Sequence, residues 1–203
     1  MKIALIGASG NVGSRLLAEA LRRGHTVTAV VRHPEKVPSQ PGVTARQGDV
    51  NAPETLAPLL AGHDAVISST RFLDHDPAKL TAAVQQAGVS RLLVVGGAGS
   101  LEVAPGVQLV DTPQFPAAYK PEASAGRAFL NVLRQERVLS WTFLSPSALF
   151  VPGERTGRFR LGADQLLTSA EGKSWISFED FAIALFDELE HPKHERGRFT
   201  VGY

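Results

Sequence analysis

Cysteine is absent from the 203-residue chain. Disulfides, thiolate metal sites and a cysteine nucleophile are therefore excluded. An excess of charge is also missing: 21 Lys and Arg stand against 20 Asp and Glu, a net charge of +1. That balance argues against a basic nucleic-acid footprint and against an acidic solvating tail. Long apolar runs are scarce. The opening run Ile3-Ala4-Leu5-Ile6 ends at Gly7, far short of the roughly 18 residues of a membrane span and too short for a signal-peptide core. The expected compartment is the cytoplasm, with neither nucleic acid nor membrane as a partner. Linkers, repeats and low-complexity stretches are missing too, so a single domain, 1–203, is expected. What is present is ordinary for a globular protein: 43% hydrophobic and 20% charged residues, too apolar for disorder.

The first 97 residues alternate short apolar runs with helical periodicity. Strands are predicted at Lys2–Ile6, Thr26–Val31, Val43–Gln47, Asp64–Ser68 and Arg91–Val95. Helices are predicted at Val12–Arg23, Thr55–Leu60 and Pro77–Ala87, with apolar side chains three and four apart. Strands separated by helices rather than tight turns imply right-handed crossovers and a parallel sheet. Uniformly apolar strands imply cover on both faces. The expectation is an α/β fold with a doubly wound parallel sheet, a Rossmann fold in the order 3-2-1-4-5, carrying a small C-terminal elaboration. In the second half, the glycine- and proline-rich stretch Ala98–Ala117 reads as a long functional loop. A helix is predicted at Glu122–Arg137, a strand at Trp141–Leu144, an amphipathic helix at Phe178–Leu189 and a last strand at Phe199–Val201. Gly157–Leu161 and Gln165–Thr168 read as a hairpin joined across Gly162-Ala163-Asp164.

The sharpest motif is Gly7-Ala8-Ser9-Gly10-Asn11-Val12-Gly13, between a predicted strand and a predicted helix. Gly7 permits the turn out of the strand, Gly10 lets a pyrophosphate approach the backbone, and Gly13 lets helix and strand pack closely. Unpaired N–H groups at the helix start, Asn11 and Val12 among them, then meet phosphate charge. Ser9 and Asn11 add side-chain donors. The second strand runs into Arg32, where an NAD-preferring fold usually carries an acidic residue; a guanidinium there suits a 2′-phosphate. The cofactor expected is NADP(H), the alternative being a solvated arginine at a strand end. Asp49, in Gly48-Asp49-Val50, is read either as an acceptor for adenine, with Val50 against the ring, or as a turn residue. Ser69 and Thr70 leave room for the cofactor ribose, and Gly97 lies in the small-residue run Gly96–Ser100.

These motifs, with the late segment Ile176-Ser177-Phe178-Glu179-Asp180-Phe181-Ala182, resemble the atypical short-chain dehydrogenase/reductases. Within them the chain is similar to the NmrA-like, NADH-flavin reductase-like NAD(P)H-binding proteins. The resemblance spans essentially the whole chain. It implies a Rossmann-type domain binding NADP(H), a substrate-side lobe over 147–180, and a segment from Ser145 to Gly153 near the nicotinamide.

The catalytic pattern of that superfamily, Tyr-x-x-x-Lys, is broken here. Of two tyrosines, Tyr119 sits at the helix start, but Ala123 stands four residues on and Lys120 is adjacent. On a helix, an adjacent residue points about 100° away. The family serine aligns near Ala98, and Ser100 comes two residues late. Tyr119, Lys120 and Ser100 remain the catalytic candidates, each against an ordinary structural reading. A planar, electron-poor acceptor such as a flavin or quinone has little need of a tuned acid. The expected function is therefore an NADPH-dependent reductase of such a small-molecule acceptor. A non-catalytic NADP(H)-binding redox sensor is the alternative, and a sugar-type epimerase a weaker third. Self-association as a homodimer stays open. Asp74-His75-Asp76 is expected to be a solvated turn and Trp175 to be core. His191 and His194 are separated from a shared ligand face by Pro192, so no metal is expected.

Overall fold

In the computed structural model, which describes residues 1–203, the central sheet grows outward from its first strand. Strand β1 (Lys2–Ile6) pairs in parallel with β2 (Thr26–Val31) on one side and β4 (Ala65–Ser68) on the other. Beyond β2 lies β3 (Val43–Gln47); beyond β4 lie β5 (Arg91–Val95), β8 (Ser140–Pro146) and β12 (Gly197–Gly202). The doubly wound order 3-2-1-4-5 is borne out and continues as 8-12. Because crossovers leave β1 in opposite directions, a crevice opens at its carboxyl end, between β2 and β4.

Alternation along β1 shows how the layers form. Ile3 and Leu5 face one side, with Leu16, Leu17 and Ala20 of helix α1 (Asn11–Arg22) and Phe181, Leu185 and Phe186 of α5 (Phe178–Glu190). Ala4 and Ile6 face the other. There they meet Leu56 and Leu60 of α2 (Pro53–Leu60), Leu80 and Val84 of α3 (Pro77–Gln86), and Phe129 and Leu133 of α4 (Lys120–Gln135). Two helical layers thus cover one sheet, and each fully buried Leu or Phe contributes roughly 1.5–3 kcal/mol. No helix is long and apolar enough to cross a membrane.

The C-terminal elaboration differs from expectation. The 157–161/165–168 hairpin does not form. Instead β10 (Arg160–Gly162) adds antiparallel to the outer edge of β12, Leu161 opposite Val201, and Gln165 bridges to Glu102. The cause is anchoring from elsewhere. The buried Asp180 carboxylate accepts the amides of Thr156 and Gly157 at 2.8 and 2.9 Å, and Asp164 is drawn to Arg198 at 2.8 Å. The free edge of β12 then offers a ladder that a three-residue turn does not. The long loop after β5 holds a small hairpin, β6 (Glu102–Ala104) and β7 (Val107–Gln108), turning at Gly106, whose φ is +74°. Strands β9 (Leu149–Val151) and β11 (Trp175–Ser177) form a separate parallel pair.

Two further expectations are corrected. His75 is buried rather than solvated: its Nδ1 lies 2.9 Å from the Arg71 carbonyl and its ring meets Phe129 edge-on. Asp76 beside it accepts the Ala78 amide at 2.9 Å and caps α3, as such residues do at helix starts. Trp175 is exposed at 37% and leans on Tyr203 instead of entering the core.

Glu19 of α1 anchors the segment that follows β9. Its side chain is 3% exposed and takes Arg23 Nε at 2.8 Å and Arg155 through two bonds at 2.8 and 2.9 Å. The bonds from Arg155, with those from Arg23, outweigh burial and hold the Glu19 carboxyl below its ordinary value of 4.5. Its stabilisation is therefore present above that value and fades as pH falls through the lowered one. Glu19→Gln is expected to cost about 1–3 kcal/mol at neutral pH and to flatten the loss of stability below pH 4.5. Urea titrations of both proteins at several acidic pH values check this.

Candidate functional site

Chain leaving β1 turns at Gly7, whose φ is +84°. Its amide bonds the Val30 carbonyl at 3.0 Å, and its carbonyl accepts Gly10 N–H at 3.0 Å. A Cβ on Gly7 would lie 2.3 Å from the Ser69 carbonyl oxygen, and one on Gly13 would lie 2.0 Å from Gly7 O. Both glycines are demanded by packing. Gly10 is different. Its φ and ψ are −77° and 172°, open to any residue, and a Cβ there would approach only Gly7 O, at 3.4 Å. The fold itself gives no reason for glycine at this position.

Helix α1 begins immediately after. It has no side-chain cap and no acidic residue in its first turn. The amides of Asn11, Val12 and Gly13 have no acceptor in the protein. Three orphan N–H groups and the positive end of the helix dipole therefore converge beside Gly10. Helix and glycine turn open onto a cleft of about 420 Å³ at the carboxyl ends of β1, β2 and β4.

Ser9 lines this cleft, as do Arg32, Asp49, Val50, Ser69 and Thr70. Arg32 is 74% exposed, and its nearest acid, Asp74, is 3.8 Å away, so its charge is largely unspent. His33 and Lys36, which the sequence reading passed over, stand on the same wall. The signal was available: Lys36 follows Arg32 by four residues in a short proline-initiated turn. Asp49 Oδ1 accepts the Asn51 amide at 2.8 Å, making a turn, while Oδ2 has no protein partner. Both readings of Asp49 thus remain compatible. Val50 is buried among Val30, Leu56 and Leu60 with one face on the cleft. Thr70 Oγ1 lies 3.2 Å from Ser68 Oγ and near the buried His75, whose pKa burial pushes down.

A second cavity has a volume of about 610 Å³. Its walls are mostly apolar: Phe72, Leu109, Phe115, Pro116, Leu149 and Leu166, with Gly97 and Ser100 at its inner side. A Cβ on Gly97 would meet Phe72 at 3.5 Å, an ordinary contact, so here too packing does not require glycine. Arg71 lines the first cavity and Phe72 the second. The turn between them is held by Glu122, whose carboxylate accepts the amides of Phe72 at 2.7 Å and Leu73 at 3.2 Å. Residues of 147–180 supply one wall, through Ala148, Leu149, Leu166, Thr168, Gly172 and Ser174.

The three catalytic candidates part company. Tyr119 is 68% exposed on the rim of the second cavity. Lys120 lines neither cavity: it is already helical, with φ −59° and ψ −40°, and opens α4. The non-helical start of α4 that would turn Lys120 toward the site is therefore not what the structure has. Ser100 is 4% exposed in the cavity wall, its Oγ 3.4 Å from Arg198 Nη1. Glu122 and Arg198 were missed because their roles depend on contacts 50 and 98 residues away in sequence.

A family profile described as NAD(P)H-binding matches residues 7–192. The chain is 46% identical over 211 aligned positions to the Bacillus subtilis protein YwnB, itself uncharacterised, covering 99% of this chain and 98% of YwnB. Among solved structures it is similar to a candidate epimerase from Bacteroides thetaiotaomicron, 48% identical, TM-score 0.95, covering 100% of this chain and 96% of that one. A candidate NADH-flavin reductase from Streptococcus pneumoniae is 36% identical, TM-score 0.84, with 100% and 99% covered.

The glycine geometry separates fold from ligand. Gly13→Ala is expected to lower stability by about 3 kcal/mol, since the obstacle is backbone. Gly10→Ala is expected to cost under about 1 kcal/mol, the effect of a poorer helix cap. Urea midpoints of the two variants distinguish these outcomes.

Proposed function

The chain belongs to the NAD(P)H-binding family, within the atypical short-chain dehydrogenase/reductases, and from that premise we propose that it is an NADPH-dependent reductase handing hydride to a planar acceptor such as a flavin or quinone. One observation carries the reading: consecutive residues, Arg71 and Phe72, line respectively a cleft edged by free helix-start amides and a larger, mostly apolar cavity.

The residues present fit a nicotinamide dinucleotide. Gly10 keeps a Cβ out of a spot where three free amides converge, which suits a diphosphate. Arg32, with Lys36 and Ser9, supplies positive charge and donors for a 2′-phosphate. Asp49 Oδ2 and Val50 suit adenine, and Ser69 and Thr70 a ribose. When bound, such a cofactor supplies hydride. The protein's part is to position and to exclude water. Apolar walls desolvate a flat ring, Gly97 leaves space for it at the inner side, and Glu122 fixes the turn separating the two ligands. The resemblance to a candidate NADH-flavin reductase supports this choice of acceptor. An epimerase of the superfamily's type needs the Tyr-x-x-x-Lys pair, and here Ala123 stands four residues after Tyr119. That same departure is what favours a second reading, a redox sensor that binds NADP(H) without turnover.

Loss of reduced-nicotinamide absorbance against a panel of flavins and quinones tests the proposal. Turnover of at least one is expected; tight binding with no turnover would favour the sensor. Arg32→Asp is expected to reduce the preference for NADPH over NADH about ten- to a hundredfold, the worth of a charge-assisted contact. Competitive binding titrations of both cofactors measure it, and an unchanged ratio removes Arg32 from phosphate recognition.

A further inference from the structure

Two charged side chains line the acceptor cavity, Glu122 and Arg127. Glu122 is fully engaged: its carboxylate accepts the Phe72 and Leu73 amides, and Arg71 lies 3.9 Å away. Arg127 is not. We propose that Arg127 receives an anionic side arm, a phosphate or a carboxylate, on the planar acceptor, and so selects acidic acceptors over neutral ones; the inference rests on the reductase reading above.

One nitrogen of Arg127 holds the loop that follows β5. Nη1 donates to Asp111 Oδ2 at 2.6 Å and to Gln108 Oε1 at 3.2 Å. Neither partner lines the cavity, whereas Arg127 does. Its Nε and Nη2 donate to no group of the protein. That side of a guanidinium presents two parallel N–H groups, spaced to match the two oxygens of a carboxylate or phosphate. The chain uses it elsewhere: Arg155 holds Glu19 through Nε and Nη2 at 2.8 and 2.9 Å. An arginine needed only to fasten the loop would gain most by turning this fork to Asp111. Here a single nitrogen fastens the loop and the fork is left free. Water screens the half-exposed Asp111, so the pair keeps a positive end for the cavity. Anchored at Nη1, the side chain also has less freedom to lose when a ligand arrives.

The position suits a side arm rather than the ring. Tyr119, Glu122, Ala123, Gly126 and Arg127 all line the cavity, at the spacing of one helix face. Ala123 packs on Gly99 so closely that a Cβ on that glycine would come within 2.8 Å of the alanine methyl. This places Ala123 against the small-residue run where the proposed ring lies. Arg127 stands one helical turn further along, about 6 Å. A flat ring seated by Gly97 would offer the guanidinium a substituent and not its reacting atoms. Arg127 is thus a specificity-determining residue.

Matched ligand pairs test this by binding, with NADP+ present to occupy the other cleft. FMN is compared with riboflavin by quenching of flavin fluorescence, and anthraquinone-2-carboxylate with its neutral carboxamide by calorimetry. The wild type is expected to bind the anionic member of at least one pair about tenfold more tightly, the worth of one charge-assisted contact. That advantage should shrink as salt rises. The pair that responds identifies phosphate or carboxylate as the arm. Arg127→Gln should bring the affinity ratio close to one, and Arg127→Lys should restore part of it. Asp111→Asn separates recognition from fastening of the loop. With the competing carboxylate gone, the ratio should hold or rise, whereas a merely structural ion pair would lose binding in both variants. No binding of any of the four ligands, equal affinities within both pairs, a ratio untouched by Arg127→Gln, or a matching loss in Asp111→Asn overturns the proposal. Turnover plays no part in the comparison, so selective binding without reduction of any acceptor counts against the reductase reading alone.

Discussion

Three backbone amides at the start of α1 are left without acceptors, and the surrounding architecture keeps them so. Their isolation follows from two contacts a side chain would destroy. Gly7 turns with a positive φ against Ser69, and Gly13 lets the first turn of the helix lie on Gly7. No side chain caps the helix and no acidic residue sits in its first turn. Orphan amides beside solvent are tolerable, whereas buried ones cost about 1–3 kcal/mol each, so the arrangement persists only at the mouth of a cleft. The parallel sheet provides that mouth where crossovers diverge from β1.

The second cavity is a consequence of what the chain does after β5. A Rossmann half-sheet needs only a short return to the next helix, but here residues 98–117 fold into their own hairpin and turns. The 147–180 segment is pinned from below by Asp180 and from the edge by β12. These two insertions face each other across Gly97, and their apolar side chains line the space between. Buried polar groups therefore do structural duty at some distance from the site: Asp180 and Glu19 fasten the elaboration to α5 and α1, and Glu122 fixes the turn dividing the cavities.

The first five strands and three helices were legible because each carries its own periodicity and each glycine its own local task. Arg32 and Asp49 were legible as candidates for the same reason: their place follows from the strand they end. The elaboration was not. Strands β9, β10 and β11 have three residues each, too few for alternation to register. The 157–168 segment reads locally as a hairpin, yet its amides are claimed by a carboxylate more than 20 residues away. His75 looked like part of a polar turn because its neighbours are aspartates, while its burial depends on Phe129 in a distant helix. The orientation of Lys120 depended on where helix α4 starts, and that boundary lies two residues earlier than the periodicity suggests.

The central claim is that those free amides receive a dinucleotide's diphosphate. Two-dimensional amide NMR of the protein titrated with NADP+ tests it at the atoms concerned. The account predicts that the largest shifts, saturating together, fall on Asn11, Val12 and Gly13, with smaller ones at Arg32. Shifts confined to other residues, or none at all, would contradict it.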